Sequence, residues 1–159
     1  MYDVTFYFAH HYLEKGDRTI DQMVQAARSG KQNIAEGAAA GNTSKETEIK
    51  LTNVAKASLQ ELLVDYEDFL RVRGLKQWQP DDARFAQTKR ACAAHNDSEY
   101  YRKAMPERSA ETIANIAITL IHQTDWLLNK LIEKLEIQFV ENGGVKEQMT
   151  KARKEYRGY

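Results

Sequence analysis

The sequence predicts an all-α protein, on three observations. Only Pro80 and Pro106 interrupt its 159 residues, apolar side chains recur at steps of three and four rather than alternating, and Ser/Thr capping signals head those periodic runs. Taken in order, the runs give an antiparallel four-helix bundle over residues 1–141. A helical or loop insertion at about 79–108 precedes the last long helix, and residues 142–159 form a basic C-terminal tail or short helix. The length suits one domain.

The first helix is expected at about residues 3 to 15, where Val4, Phe8, His11 and Tyr12 share a face, and Gly16 ends it. Thr19 and Gln22 form a Thr-x-x-Gln capping box for the second helix, which runs to about Gly41. Its apolar face reads Ile20, Met23, Val24, Ala27, Ile34, Ala35 and Ala38, and Gly30 admits a close neighbour. A second box, Thr43-Ser44-Lys45-Glu46, opens the third helix, whose period runs through Leu51, Val54, Ala55, Leu59, Leu62, Tyr66, Phe69 and Leu70 to Gly74. The link at Gly41-Asn42 is so short that these two helices must form an antiparallel hairpin.

Pro80 followed by Asp81-Asp82 reads as the first turn of a short helix ending near Ala94. Residues 95–108 are polar with no sustained period and read as inserted loop. Ser109 caps the longest helix, in which Ile113, Ile116, Ala117, Leu120, Thr124, Leu127, Leu131 and Leu135 make a seam and Gly143-Gly144 the end. A second stripe of Ile118, Ile121, Leu128 and Ile132 widens the apolar arc to roughly 200°, so this helix is central or also faces another subunit.

Charge excludes one class of function and narrows another. With 23 Lys plus Arg against 23 Asp plus Glu, no field over the whole molecule steers polyanions, and nucleic acid must be met by a local patch. The basic cluster is at the C-terminal end, where Lys146, Lys151, Arg153, Lys154 and Arg157 face Glu147 and Glu155. It reads either as a phosphate contact or as a solvated terminus. No run of eighteen apolar residues spans a bilayer, and the N-terminus lacks a basic n-region with a small-residue cleavage site, so the expectation is a cytoplasmic protein with no membrane contact.

Catalytic patterns are missing. No His has a Glu three residues before it, as a di-iron bundle needs, and none of His10, His11, His95 and His122 stand four apart as a zinc pair would. Neither Gly-x-x-x-x-Gly-Lys-Ser/Thr nor Gly-x-Gly-x-x-Gly occurs. Cys92 lies among alanines and reads as a packing residue, although His95 stands near enough to polarise a thiolate. The expectation is no enzyme, no cofactor and no metal; the rival is a small-molecule or metal-dependent enzyme whose site is assembled in the bundle.

Two constellations remain. Lys31 falls near the middle of the second helix's apolar face while Asp65 lies inside that of the third and Glu61 at its edge, so Lys31 or Arg28 is expected to pair with Glu61 or Asp65 and fix the hairpin's register. The alternative is that Lys31 reaches water along the bundle's edge. Trp126 falls opposite the apolar stripe of its helix, with Asn115, Thr119, His122 and Glu133, which marks a subunit interface at His122 and Trp126 or a surface covered by residues 81–106.

The segments Asn33-Ile34-Ala35-Glu36-Gly37, Ser44-Lys45-Glu46 and Ala55-Lys56-Ala57-Ser58-Leu59-Gln60-Glu61-Leu62 occur in that order. Together they resemble the bacterial four-helix-bundle family named for proteins encoded in intervening sequences of large-subunit ribosomal RNA genes. That family carries Asn-Ile-Ala-Glu-Gly at a helix end, a Ser-x-x-Glu-like helix start and a small-Ser-Leu-x-Glu-Leu stretch. The resemblance covers residues 19 to 75, and the run Asp21–Gln32 is similar to its four-helix-bundle suffix-domain branch. It implies an antiparallel four-helix bundle, often a ring-like homopentamer, related to the accessory protein of diversity-generating retroelements, which engages a reverse transcriptase and RNA through basic surface. No enzyme activity or cofactor comes with it. The matching residues Asn33, Ile34, Ala35, Glu36, Gly37, Ser58, Leu59 and Glu61 are implied to be structural: Gly37 for close approach, Asn33 and Glu36 for bonds to neighbouring loop amides. Lys31 stands where many relatives have proline.

Overall fold

A computed structural model describes residues 1–158, and among them every regular element is helical. The elements are α1 Tyr2–Tyr12, α2 Arg18–Ala40, α3 Lys45–Val72, α4 Ala83–Ala94, α5 Ser98–Ala104, a 3-10 turn at Met105–Glu107, α6 Ala110–Asn142 and α7 Val145–Arg157.

Side chains that accept from exposed first-turn amides set most of the starts. Ser109 caps α6 through Thr112 N–H at 3.2 Å, as the sequence indicates, whereas α3 is capped by Ser44 through Thr47 N–H at 3.2 Å, one residue past the Thr43 of the expected box. Two further starts differ from expectation. Asp17, not Thr19, caps α2, accepting from Thr19 N–H at 2.8 Å, so the helix begins at Arg18. Asp82 caps α4 through Arg84 N–H at 3.0 Å, which leaves Pro80 in the preceding turn rather than at the first helical position. Within the segment expected to be loop, Asp97 accepts from Tyr100 N–H at 2.8 Å and starts the seven-residue α5.

α2 and α3 form an antiparallel hairpin. A methyl at Gly30 would stand 3.3 Å from Leu59 Cδ2, and one at Gly37 would stand 3.3 Å from Leu51 Cβ, so rising numbers on one helix meet falling numbers on the other. α3 also packs on α6, and α1 lies against α2 and α6. Their shared core holds Phe8, Met23, Leu62, Tyr66, Leu70, Ile113 and Ile121, all fully buried. The ring of Phe8 sits edge-on to Phe69 with centroids 4.6 Å apart, and buried Tyr66 donates to Thr5 Oγ1 at 3.0 Å.

The buried face of α2 differs from the one its hydrophobic residues suggest. Met23, Ala26, Ala27, Gly30 and Gly37 are buried, whereas Lys31, Ala35 and Ala38 are exposed. Small residues let α3 approach at the seam, and burial follows that approach more than side-chain hydropathy. Lys31 is thereby rotated off the interface.

Polar side chains of α6 hold the connection from α3 to α4. Asn115 Oδ1 accepts from Trp78 N–H at 2.8 Å while its Nδ2 donates to Lys76 O at 2.9 Å, so one side-chain amide pairs with the backbone as a strand would. Glu111 accepts from Lys76 N–H at 3.0 Å, from Trp78 Nε1 at 3.3 Å and from Arg84 Nη1 at 3.2 Å. Arg84 also pairs with Asp82 at 2.8 Å and lies over the Trp78 ring at 4.8 Å.

Tyr66→Phe is expected to destabilise the fold by about 1–2 kcal/mol, since it strips a partner from a buried hydroxyl. Urea unfolding of Tyr66→Phe, Thr5→Val and the double variant checks this: the double variant should cost less than the sum of the singles.

Candidate interaction surface

The first half of α6 is enclosed on more sides than the second, where Leu128 and Leu135 stay buried but the other faces lose cover, because its neighbours differ in length. α1 has 11 residues and α6 has 33, so at 1.5 Å per residue α1 spans about 16 Å against about 50 Å. α1 touches the start of α6: Tyr12 donates to Arg108 O at 2.8 Å, and Val4 packs in the same core as Ile113. Along one heptad row, Ile113 is fully buried, Leu120 half-buried and Leu127 59% exposed. Cover is lost along the row at unchanged hydropathy, as the end of α1 requires.

The opposite side of α6 shows the same change. The α4 segment covers it as far as Gln123, whose Nε2 donates to Lys89 O at 3.0 Å. Asn115 is buried beneath that cover, while His122 is exposed at its edge beside Phe85 and Pro80. Trp126 lies one turn further on and is 60% exposed, so residues 81–106 do not cover it. Ile137 and Val140 lie on the same side beyond the exposed Lys130–Glu133 ion pair, and both are exposed. The distal half of α6 therefore presents uncovered apolar side chains on two sides.

α7 follows directly. The Glu147 carboxylate accepts from Gly144 N–H at 2.5 Å and starts the helix, none of whose residues is buried. Val145, Met149, Ala152 and Tyr156 fall at steps of four, three and four, a single apolar stripe open to solvent. The helix sorts the basic residues of the sequence. Lys146, Arg153 and Arg157, at steps of seven and four, share one row with Lys154 at its edge, while Lys151 lies apart between Glu147 and Glu155. None of the five forms an ion pair among the described residues.

The expected ion pair across the hairpin is replaced by other contacts. Arg28 donates to Gln32 Oε1 at 3.4 Å, and the Lys31 ammonium lies 5.2 Å from the centroid of the Tyr2 ring. Glu61 is exposed and Asp65 half-buried. Burial pushes the Asp65 carboxyl above its ordinary pKa, and the neighbouring charges of Asp68 and Glu61 push it the same way. This face of α3 is an acidic row without an answering cation from α2.

The structure brings the signature residues to the α2–α3 seam only in part. Asn33 donates to Ser29 O at 2.9 Å, not to a loop amide, and Ser29 Oγ lies 2.8 Å from Ser58 Oγ, a polar bridge between α2 and α3. Leu59 is buried against Gly30, Gly37 is buried beside Leu51, and Ile34 is half-buried. Ala35 and Glu36 are exposed.

The sequence pattern gave no role to Glu111, Trp78 or Asn115, and it placed Asp82 inside the first turn of α4 rather than at its cap. The signal available for them was an Asn and a Glu four apart on the polar side of an otherwise apolar helix. No group of three or more His, Cys, Asp or Glu among the described residues could hold a metal ion, and no described helix is long and apolar enough to cross a membrane.

The sign of the Asp65 effect follows from linkage. A carboxyl with a raised folded-state pKa binds its proton more tightly folded than unfolded, so it detracts from stability as pH rises above the ordinary Asp value of 3.8 and does so fully above its folded pKa. Asp65→Asn is therefore expected to raise the melting temperature at pH 7 and to leave it unchanged well below pH 3.8, which paired thermal melts check. Compared with protein-family models, curated proteins and solved structures, the chain matches none of them.

Proposed function

We propose that this protein is a homo-oligomeric four-helix-bundle scaffold without chemistry of its own, which joins copies of itself and presents a basic helix to RNA or to a nucleic-acid-processing partner. The observation that carries the reading is the set of exposed apolar side chains on the distal half of α6, with α7 beyond it. Trp126, Leu127, Ile137 and Val140 are between 58% and 81% exposed on one helix half, among charged residues, and a subunit contact would cover them.

The bundle reading rests on α1, α2, α3 and α6 sharing one core, with the α2 and α3 pair antiparallel. Its likeness to the intervening-sequence family rests on the segments quoted above and on their serving as the α2–α3 seam. A ring of five fits that likeness. Such a ring would shield the apolar flanks of α6 and set several basic rows side by side, multiplying weak phosphate contacts. The phosphate reading is supported by the row of Lys146, Arg153 and Arg157, which repeats along one side of α7 with no acidic residue in it.

Light scattering on a size-exclusion column, with absorbance read at 260 and 280 nm, tests both parts. The expected mass is near five times 18.3 kDa. Leu127→Asp combined with Val140→Asp is expected to give monomer. Changing Lys146, Arg153 and Arg157 together to Gln should leave the mass unchanged and remove salt-sensitive RNA retention. A wild-type monomer overturns the scaffold, and RNA retained by the triple variant overturns the role of α7.

A further inference from the structure

The inserted helices enclose a space that the scaffold reading does not use. Between α4 and α5 on one side and α1 and α6 on the other lies a cavity of about 320 Å³, within the range of small-molecule sites. Its apolar floor is made by Val4, Met105, Ile113 and Ile116, and Trp78 and Tyr100 add aromatic surface. Thr88, Thr112 and Gln87 contribute neutral polar groups.

The charges of the lining are one-sided. Two arginines, Arg84 and Arg108, line the cavity and no Asp or Glu does. The Arg84 guanidinium is already answered, by Asp82 at 2.8 Å and Glu111 at 3.2 Å. That of Arg108 makes no ion pair among the described residues, and Arg108 is an exposed residue of the lining. One unanswered guanidinium beside an apolar floor suits a single carboxylate on a compact apolar body, because the planar fork takes both oxygens at once. A dianion finds no second free cation there, and a neutral apolar molecule leaves the guanidinium unused.

We propose that the cavity between α4, α5 and α6 binds a small monocarboxylate with a ring-sized apolar body, its carboxylate on Arg108 and its body on Met105, Ile113 and Ile116. The ligand would tie the insertion to α6, since α4 and α5 bury only Cys92 and Tyr101 of their own side chains. Cys92 lines the same cavity and is the chain's single cysteine. Burial pushes its thiol above the ordinary pKa, so it is a slow, reportable nucleophile rather than a reactive one.

The test uses phenylacetate as probe on the full chain carrying Trp126→Phe, so that Trp78 alone reports. Phenylacetate is expected to change Trp78 emission saturably and to slow alkylation of Cys92 by iodoacetamide. Phenylacetamide, the neutral analogue, and the Arg108→Gln variant should each weaken binding by about tenfold or more, the worth of a charge-assisted pair. Arg108→Gln leaves the backbone bonds of residue 108 to Tyr12 and Met105 in place, and Arg90→Gln, an exposed arginine outside the cavity, should leave affinity unchanged. Absence of saturation by phenylacetate, benzoate and hexanoate overturns the proposal. So does equal binding of phenylacetamide, full affinity in Arg108→Gln, or an equal loss in Arg90→Gln. None of these outcomes depends on the oligomer.

Discussion

The constraint on which the rest of the structure depends is the mismatch between an 11-residue α1 and a 33-residue α6. Where α1 lies, four helices close over Phe8, Tyr66, Phe69 and Ile113, and the aromatic rings meet edge to face. Beyond its end, α6 keeps the same apolar period but has lost a neighbour, and Leu127 comes out 59% exposed on the row that buries Ile113. The hydrophobic driving force does not stop with the cover. An apolar row that outruns its own fold is therefore a demand for something else to complete it, and a second copy satisfies that demand without new sequence.

The insertion covers another side of the first half of α6, as far as Gln123, with polar bonds more than with apolar packing. α4 buries a single side chain, Cys92, so burial alone cannot hold it. Asn115 and Glu111 hold the approach to it through backbone amides, and Arg84 and Lys76 lower the Asp82 carboxyl well below its usual range by bonding to it, as the Lys76 amide does for Glu111. A segment pinned at its ends by directed bonds leaves gaps between them. The cavities on the two flanks of α4 are those gaps, one lined by Arg108 and Ile113, the other by Phe85 and His122.

How much of this could be read from the sequence depends on which force set the feature. The long helices, the α2–α3 hairpin and the start of α6 were legible, because 3.6-residue periodicity and capping oxygens are local signals. The centre of α2's buried face was not, since Gly30 and Gly37 carry no hydropathy and are buried for their smallness. Placing that face on Ile34, Ala35 and Ala38 put Lys31 in the interior and called for an ion pair, whereas Lys31 lies over the Tyr2 ring. Trp126 was singled out correctly as a residue on the polar side of its helix, but whether α4 reached it turned on the bond from Gln123 to Lys89, a contact 34 residues apart that no local pattern encodes. Asn115 and Glu111 were hidden for the same reason: their partners are backbone atoms of a loop.

Zero net charge hides a segregation of charge into two local rows. The acidic row of Glu61, Asp65 and Asp68 lies on the part of α3 that packs with α1, and Asp65 carries the mark of that crowding in its raised pKa. The basic row of α7 lies beyond the other end of α6, where its Lys146 reaches the field of Glu46 at the start of α3. The acidic row is partly answered within the chain, since Arg71 pairs with Asp68 at 2.7 Å, and a contact of its remainder with the basic row of a neighbouring copy would join different surfaces rather than set like against like. Contacts between different surfaces close into rings when the rotation permits, which is the geometry of the proposed pentamer. The same segregation leaves α7 a choice between phosphate and the acidic row of a neighbour. Because screening weakens both in salt, assembly held by apolar α6 contacts and RNA held by α7 should separate as salt rises, the first persisting after the second is lost.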